Sequence, residues 1–309
     1  MIMQRKESKQ ANYRQKIQDI MSRHSSKKKL VDRIMTAFAI ICVVFALIPL
    51  ASILFEVVKN GIPAISIEFL TEPPGSFFLG HGGIGPAIQG TLIVVGLASL
   101  IGAPVGVLAG IYLSEYAGNG IFPTVVRFFN DVMTGLPSIV MGIVGYVTLV
   151  LLLGSFSVWA GAFALSIIMI PIVVRVTEES FKIVPNSIRE GAQSLGIPKW
   201  KIILFITMKS AKSGMFTGIV LAISRIAGET APLIMTILGT SLFFRGFYGP
   251  IDALPLRIWR LASQPYESAH SQGWGAALVL ILIILILSVL LRLLVQSKAQ
   301  FKFNKTTNF

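Results

Sequence analysis

Residues 214–239 read GMFTGIVLAISRIAGETAPLIMTILG, a run long and apolar enough to cross a bilayer. Arg225 and Glu229 lie near the middle of this run. A charge at the centre of a spanning helix costs about 2.5–3.5 kcal/mol on insertion scales, so such residues usually face a polar interior. Because the two side chains are four positions apart, we expect them to share one helix face and to pair. The run therefore predicts an ionic site within a membrane.

The composition of the whole chain is that of a membrane protein. Of its 309 residues 54% are hydrophobic and 13% charged, and the mean hydropathy is +0.76. A soluble protein would carry about 25% charged residues. Lipid offers no partner for open backbone groups, so helices are expected. We predict an all-α integral membrane protein with about six transmembrane helices, since five further stretches reach bilayer length: 34–58, 88–113, 125–153, 156–177 and 274–296.

The distribution of Lys and Arg predicts the orientation of these spans. The tail 1–33 holds ten, the loop 178–212 six and the tail 297–309 three. The opposite side holds only four, which are Lys59, Arg245, Arg257 and Arg260. Positive residues are enriched on the cytosolic side of membrane proteins. Both termini and the 178–212 loop are therefore predicted to be cytosolic, with residues 1–33 a basic tail and 34–58 an uncleaved first span.

Several functional classes find little support in the sequence. The basic tail is unlike a nucleic-acid-binding domain, because a span follows it at once. Cys42 is the only cysteine, and the three histidines are scattered, so no metal-ligand cluster is visible. No phosphate-cradling G-x4-G-K-[ST] motif and no nucleophile–base pair can be found. We expect no catalytic residue, no metal and no cofactor bound by this chain.

The loop 178–212 contains the pattern E-G-A-x3-G, formed by Glu190, Gly191, Ala192 and Gly196. Pro185 suits the first turn of a helix that runs to Gly196, a natural stop. Pro198 then suits the start of a second helix that leads towards the 214–239 run.

One face of the first loop helix is predicted to be apolar, with Val184, Ile188, Ala192 and Leu195 spaced four, four and three apart. Such a face beside basic residues suits the groove of a partner protein. The alternative is a surface helix that folds back on the chain's own spans.

Pro137 interrupts the third apolar stretch, in T-G-L-P-S-I-V-M-G. Proline removes a helix hydrogen bond. Either a simple kink or a broken helix that exposes backbone groups to a substrate path is compatible with this pattern.

The loop pattern resembles the cytoplasmic loop of ATP-binding-cassette importer permeases, E-A-A-x3-G-x9-I-x-L-P. Glu190, Ala192, Gly196 and Ile206 match it, whereas Gly191 replaces the second residue and Met208-Lys209 replace the closing Leu-Pro. A closer resemblance, over roughly 82–240, is to the phosphate importer permeases, in particular their PstA subunits. It rests on four segments: GGIGPAIQGT (82–91), LPSIVMG (136–142), IPIVVRVTEE (170–179) and SRIAGETAPL (224–233).

This resemblance implies a type I, MetI-like permease fold, with a core at 88–296 and an ATPase-coupling loop at 178–212. It implies a permease subunit of an ATP-driven phosphate importer in a bacterial or archaeal cell membrane. The implied partners are cytosolic ATPase subunits that use the ATP, a second related permease subunit of the PstC type, and an extracytoplasmic phosphate-binding protein. Glu190, Gly191, Ala192 and Gly196 are then expected to couple the chain to the ATPase.

Arg225, Glu229 and Arg175 are the residues that we expect along an anion path. Arginine stays charged and its planar fork of donors suits tetrahedral oxyanions. Glu229 could neutralise Arg225 at rest, so that an anion must compete for the guanidinium. The alternatives are a structural Arg225–Glu229 pair and an Arg175 that extends to the membrane interface.

Two other functions remain open at this point. A permease for another oxyanion, such as molybdate or sulfate, has the same charge requirements. A proton-coupled secondary anion transporter would use Glu229 as a proton relay and would need no ATPase subunit.

Overall fold

The computed structural model describes the backbone of residues 2–76, 82–118 and 120–303. Side chains are described for residues 28–29, 31–76, 82–118 and 120–293. The chain divides into two compact units, residues 1–56 and 57–309. Within the described ranges the chain is helical, with no β-strand and two isolated bridges.

The first helix, α1, runs from Ile2 to Gly61. From Ile2 onwards, the predicted tail 1–33 is therefore helical and continuous with the predicted span 34–58. From Val31 onwards the apolar side chains of the first unit are exposed, as on a helix that faces lipid or a partner. A short 3₁₀ turn, Ile62–Ala64, and the helix α2, Ile67–Thr71, follow in the second unit.

The centre of the second unit is the pair α3, Gly85–Glu115, and α7, Val158–Lys182. Gly102 of α3 packs on Met169 of α7, and Gly106 packs on Val173 in the same way. These contacts advance together along both helices, so the two helices run in parallel. Gly102 and Gly106 form a small-xxx-small pattern, in which the missing side chains allow the two backbones to approach closely.

The third predicted span is broken. The helix α4, Ile121–Gly135, is followed by α5, Ser138–Gly145, a π-helical segment Tyr146–Val150 and α6, Leu151–Leu153. The two halves are bent by 104°. Leu136 and Pro137 are extended at the break, because a proline disfavours helical backbone in the residue before it.

The predicted loop helices are present. The helix α8 is Asn186–Ser194. The second helix starts as α9, Lys199–Ile202, passes through the π-helical segment Ile203–Thr207, and continues as α10, Met208–Ala227. Gly214 and Gly218 of α10 pack on Ser180 and Val176 of α7, so α10 and α7 are antiparallel.

The remaining helices are α11, Ala231–Thr236, α12, Leu254–Ala262, and α13, Glu267–Phe303. Among the described residues, four helices are long and apolar enough to cross a membrane, or five if the bent pair α4–α6 counts as one span. The predicted span 214–239, the fifth of the six in chain order, does not form one helix. It ends at Ala227 and resumes as the short α11.

Candidate ionic site and loop anchor

The break at residues 228–230 places the predicted ionic pair at a helix end. Arg225 lies in the last turn of α10, and Glu229 lies beyond it, between α10 and α11. The expectation that both share one helix face was wrong. Pro232 supplies the physical reason, because a helix continuing through it would bring the ring against the carbonyl of Gly228 and would lack one hydrogen bond.

Arg225 and Glu229 still face each other, but loosely. Arg225 Nε lies 3.8 Å from Glu229 Oε1, too far for a hydrogen bond. The Arg225 side chain is 55% exposed and the Glu229 side chain 16% exposed. Among the described residues, no side chain or carbonyl accepts a hydrogen bond from Arg225. Its donor fork is therefore open to an anion in this conformation.

Arg225 lies at mid-depth of the helical core. The four-residue step from Gly214 to Gly218 on α10 matches a four-residue step back along α7, from Ser180 to Val176. Continuing this antiparallel register along α10 puts Arg225 level with the middle of the 25-residue α7. Next to it, Ser224 and Ser288 join α10 to α13 through a hydroxyl contact of 2.9 Å.

At this break, two of the four segments that carry the family resemblance, 136–142 and 224–233, lie against each other. Gly142, in the segment 136–142, packs directly on the backbone of Pro232, in the segment 224–233. A side chain at Gly142 would clash with that backbone, since a Cβ there would lie 2.7 Å from Pro232 Cα. The two broken spans thus support each other at their breaks.

Arg175, the other predicted cation, lies on α7 in the half that ends at Lys182. Its Nε donates to Glu179 Oε1 at 3.1 Å, and its Nη1 lies 3.7 Å from Asp131 Oδ1 on α4. All three side chains are at least 60% exposed. The structure places Arg175 on the same helix bundle as Arg225 but not in contact with it.

The four predicted coupling residues lie on and just after α8. Glu190 and Gly191 are exposed, whereas Ala192 is buried and packs inwards. Gly196 follows the helix with φ of +75°, a conformation that glycine adopts at no steric cost. It therefore ends α8, as predicted.

The predicted apolar face of α8 is divided. Val184 and Ala192 are buried, while Leu195 is 79% and Ile188 43% exposed. Ile183, just before the helix, is 80% exposed. Half of this face therefore folds back on the chain, and the other half remains exposed.

The anchor of α8 is an ion pair that the sequence analysis missed. Arg189 Nη2 lies 2.8 Å from Glu115 Oε1, at the end of α3, and the two side chains are 16% and 5% exposed. Arg189 also donates to the carbonyls of Val184 and Phe181, at 2.6 and 2.7 Å. Lys199 Nζ donates to the carbonyl of Glu115 at 2.5 Å. Arg189 and Glu115 are 74 positions apart in the chain, so no local sequence pattern predicts that they pair.

A second missed pair joins Asp252 and Arg257. Arg257 donates from Nε to Asp252 Oδ2 at 2.7 Å, and both side chains are almost fully buried. Asp252 Oδ1 has no hydrogen-bond partner. Burial raises the pKa of Asp252 above its ordinary value, although Arg257 acts in the opposite direction.

No metal site is apparent in the described ranges, where no three His, Cys, Asp or Glu side chains come together in a way that suits an ion. The expectations of no metal and no bound cofactor stay predictions.

Comparison with known proteins gives one family and a consistent set of relatives. Residues 102–300 match the family described as binding-protein-dependent transport system inner membrane component. The chain is 40% identical to the phosphate transport system permease protein PstA of Pasteurella multocida, over 90% of this chain and 99% of that protein. It is 36% identical to the probable phosphate transport system permease protein PstA of Methanocaldococcus jannaschii, over 87% and 95%.

Solved structures with the same fold are more distant in sequence. A chain of a bacterial alginate ABC transporter matches with a TM-score of 0.61 and 17% identity, over 84% of this chain and 93% of that one. A chain of the MetNI methionine ABC transporter matches with 0.56 and 15%, over 70% and 94%. These likenesses show the fold alone, and they confirm the predicted MetI-like permease architecture.

Proposed function

We propose that this chain, which belongs to the family of binding-protein-dependent transport system inner membrane components, is the permease subunit of a phosphate importer. Its relatives named as phosphate permeases PstA cover nearly all of the chain at about 40% identity. The chain is a multi-pass membrane protein, and its role is to form part of the path along which phosphate crosses.

The observation that carries this proposal is the open guanidinium of Arg225. It lies at mid-depth among apolar helices, it is 55% exposed, and Glu229 approaches it only to 3.8 Å. A charge that served packing alone would be enclosed and fully hydrogen-bonded, because an unpaired buried charge is costly. An exposed and unsaturated fork at this depth suits a ligand that arrives and leaves.

Phosphate fits this site by chemistry. The guanidinium offers planar N–H donors to two oxygens of a tetrahedral anion. Glu229 keeps the site close to neutral when it is empty and repels the anion when it is occupied. Binding is therefore transient, as a transport path requires.

Exposed residues around α8 support the proposal that a partner protein docks there and supplies the energy for transport. Exposed Ile183, Ile188 and Leu195 offer an apolar surface to that partner, beside the exposed Glu190. The Arg189–Glu115 pair joins α8 to the end of α3. Through this ion pair, a displacement of α8 by the partner moves the end of α3, and with it the central α3–α7 pair. Cytosolic ATPase subunits are the partner that we assign to this surface.

The rest of the assembly follows from this role. Phosphate is delivered by an extracytoplasmic binding protein, and a second, PstC-like permease subunit completes the path. ATP is used by the ATPase subunits, while this chain binds no cofactor and hydrolyses nothing. The chain lies in the plasma membrane of a bacterium or archaeon, with both termini and the α8 loop in the cytosol.

Reconstituted transport tests the proposal. Purified chain in liposomes should hydrolyse no ATP, and its complex with the copurifying subunits should import [³²P]phosphate when ATP is supplied. Excess molybdate or sulfate should compete poorly. Uptake driven by a proton gradient without ATPase subunits would contradict the proposal in favour of a secondary transporter, and preferred uptake of molybdate or sulfate would reassign the substrate.

A further inference from the structure

A polar cavity of about 150 Å³ lies between α4 and α7, beside the half of α7 that ends at Lys182. Its lining combines three cations, three carboxylates and one amide: Arg127, Arg175, Lys182, Asp131, Glu178, Glu179 and Asn130. Such a set is unusual between two helices of a membrane protein, where ionisable side chains mark polar paths.

The cations in this cavity are held in two different ways. Arg127 Nε and Lys182 Nζ contact Glu178 Oε1 at 2.8 and 2.6 Å, and the Glu178 side chain is only 9% exposed. Arg127 also donates to the carbonyl of Leu113 at 2.9 Å. These cations are firmly paired and are poor candidates for exchange.

Arg175 is held loosely by contrast. Its contact with Asp131 measures 3.7 Å and joins two side chains that are 60% and 66% exposed. Exposed pairs of this kind contribute little to stability, so a stronger anion can replace the carboxylate. Glu179 occupies another part of the same guanidinium at 3.1 Å.

The wall that carries Asp131 is itself weakly packed. Among the 15 residues of α4, only Pro123 is buried. Polar contacts hold the helix to α7, including Asn130 Nδ2 to the carbonyl of Pro171 at 3.2 Å. The 104° break at Leu136–Pro137 separates α4 from α5. A small shift of α4 would therefore withdraw Asp131 from Arg175 without unpacking the core.

We propose that this cavity is a second anion station, in which phosphate binds Arg175 in place of Asp131. The inference rests on the proposed function. Asp131 acts here as an internal competitor: it occupies Arg175 while the station is empty and favours release of the anion after it has passed. Arg127 and Asn130 are positioning residues that keep α4, and with it Asp131, next to α7.

Binding of inorganic phosphate tests this directly. The assembled importer, purified without its binding protein, is titrated with phosphate while ³¹P line broadening is recorded. Asp131→Asn removes the competing charge from an exposed position, so phosphate should bind about two- to fivefold more tightly, the range expected for the loss of an exposed ion pair. Adding Arg175→Gln to Asp131→Asn should abolish that gain.

The matched control is Glu68→Gln. It removes one exposed carboxylate at the opposite end of α3, near Gly83, and should leave phosphate binding unchanged. An Asp131→Asn complex that binds phosphate like the wild type, or whose gain survives Arg175→Gln, would overturn the station. Wild-type uptake of [³²P]phosphate is measured on the same preparations. Its failure would contradict the proposed function, whereas normal uptake with no Asp131→Asn effect would contradict this inference alone.

Discussion

The Asp252–Arg257 pair and the Arg225–Glu229 pair both join residues that are close in the chain, yet their surroundings are opposite. Arg257 and Asp252 are 3% and 0% exposed and are linked at 2.5–2.7 Å. Arg225 and Glu229 are 55% and 16% exposed and approach only to 3.8 Å. The first pair fixes a loop, since Arg257 also donates to the carbonyl of Thr240. The second leaves a cation available. Sequence spacing alone does not separate a structural pair from a functional one, whereas burial and bond length do.

The largest expected effect on stability comes from breaking the enclosed pair. Arg257→Ala leaves the Asp252 carboxylate buried without its partner, so we expect the free energy of unfolding to fall by about 3–5 kcal/mol. Thermal unfolding of the purified importer, followed by the loss of monodisperse protein on heating, measures this. Arg257→Leu with Asp252→Leu removes both charges and should be less damaging than Arg257→Ala. If the single variant keeps the wild-type stability, the pair does not fix the loop.

A smaller effect is expected where α8 ends. Gly196 and Gly191 both have open space around the position of an added Cβ, but only Gly196 has a positive φ, of +75°. Gly196→Val should therefore cost about 1–2 kcal/mol locally, because L-residues disfavour this backbone region. We expect ATPase stimulation and phosphate uptake to fall together while membrane insertion remains normal. Gly191→Ala is the matched control, and its ATPase stimulation and phosphate uptake should equal those of the wild type. If both variants keep the same ATPase stimulation and phosphate uptake, the left-handed backbone at position 196 is not required for coupling.

The smallest effect concerns pH. Burial raises the pKa of Asp252 above its ordinary value of 3.8, so the folded protein takes up this proton more readily than the unfolded chain. As the pH falls from above the raised pKa towards 3.8, protonation of Asp252 should therefore stabilise the folded wild type. Asp252→Asn has no such proton to bind, so the melting temperature of the wild type should rise relative to that of the variant. Melting curves of both proteins across this range measure the difference. A shift in the opposite direction would mean that the attraction of Arg257 outweighs burial.

Much of the architecture follows from local sequence. Apolar length identifies α3, α7 and α13, and the positive φ of Gly196 follows from its place after the α8 pattern. Pro137 likewise marks a break that the structure contains. These features depend on residues that are close together in the chain, so they can be predicted from a single sequence.

Other features depend on contacts that the sequence does not record. The apolar run 214–239 predicts one long span, although Pro232 keeps the helix that carries Arg225 from continuing through it. Arg189 and Glu115 meet across 74 positions. The approach of Asp131 to Arg175 likewise requires α4 to lie against α7. Tertiary packing decides each of these, and it also decides which cations are firmly paired and which are open.

The most direct test of the central claim, that Arg225 contacts phosphate on its path, is uptake by the double variant Arg225→Leu with Glu229→Leu. Replacing both charges by apolar side chains should leave expression and thermal stability close to those of the wild type. Arg225→Lys is the companion variant, because it keeps the charge and loses the planar fork. We predict a folded importer with ATP-dependent [³²P]phosphate uptake abolished in the double variant and impaired in Arg225→Lys. A stable double variant with full uptake would contradict the claim.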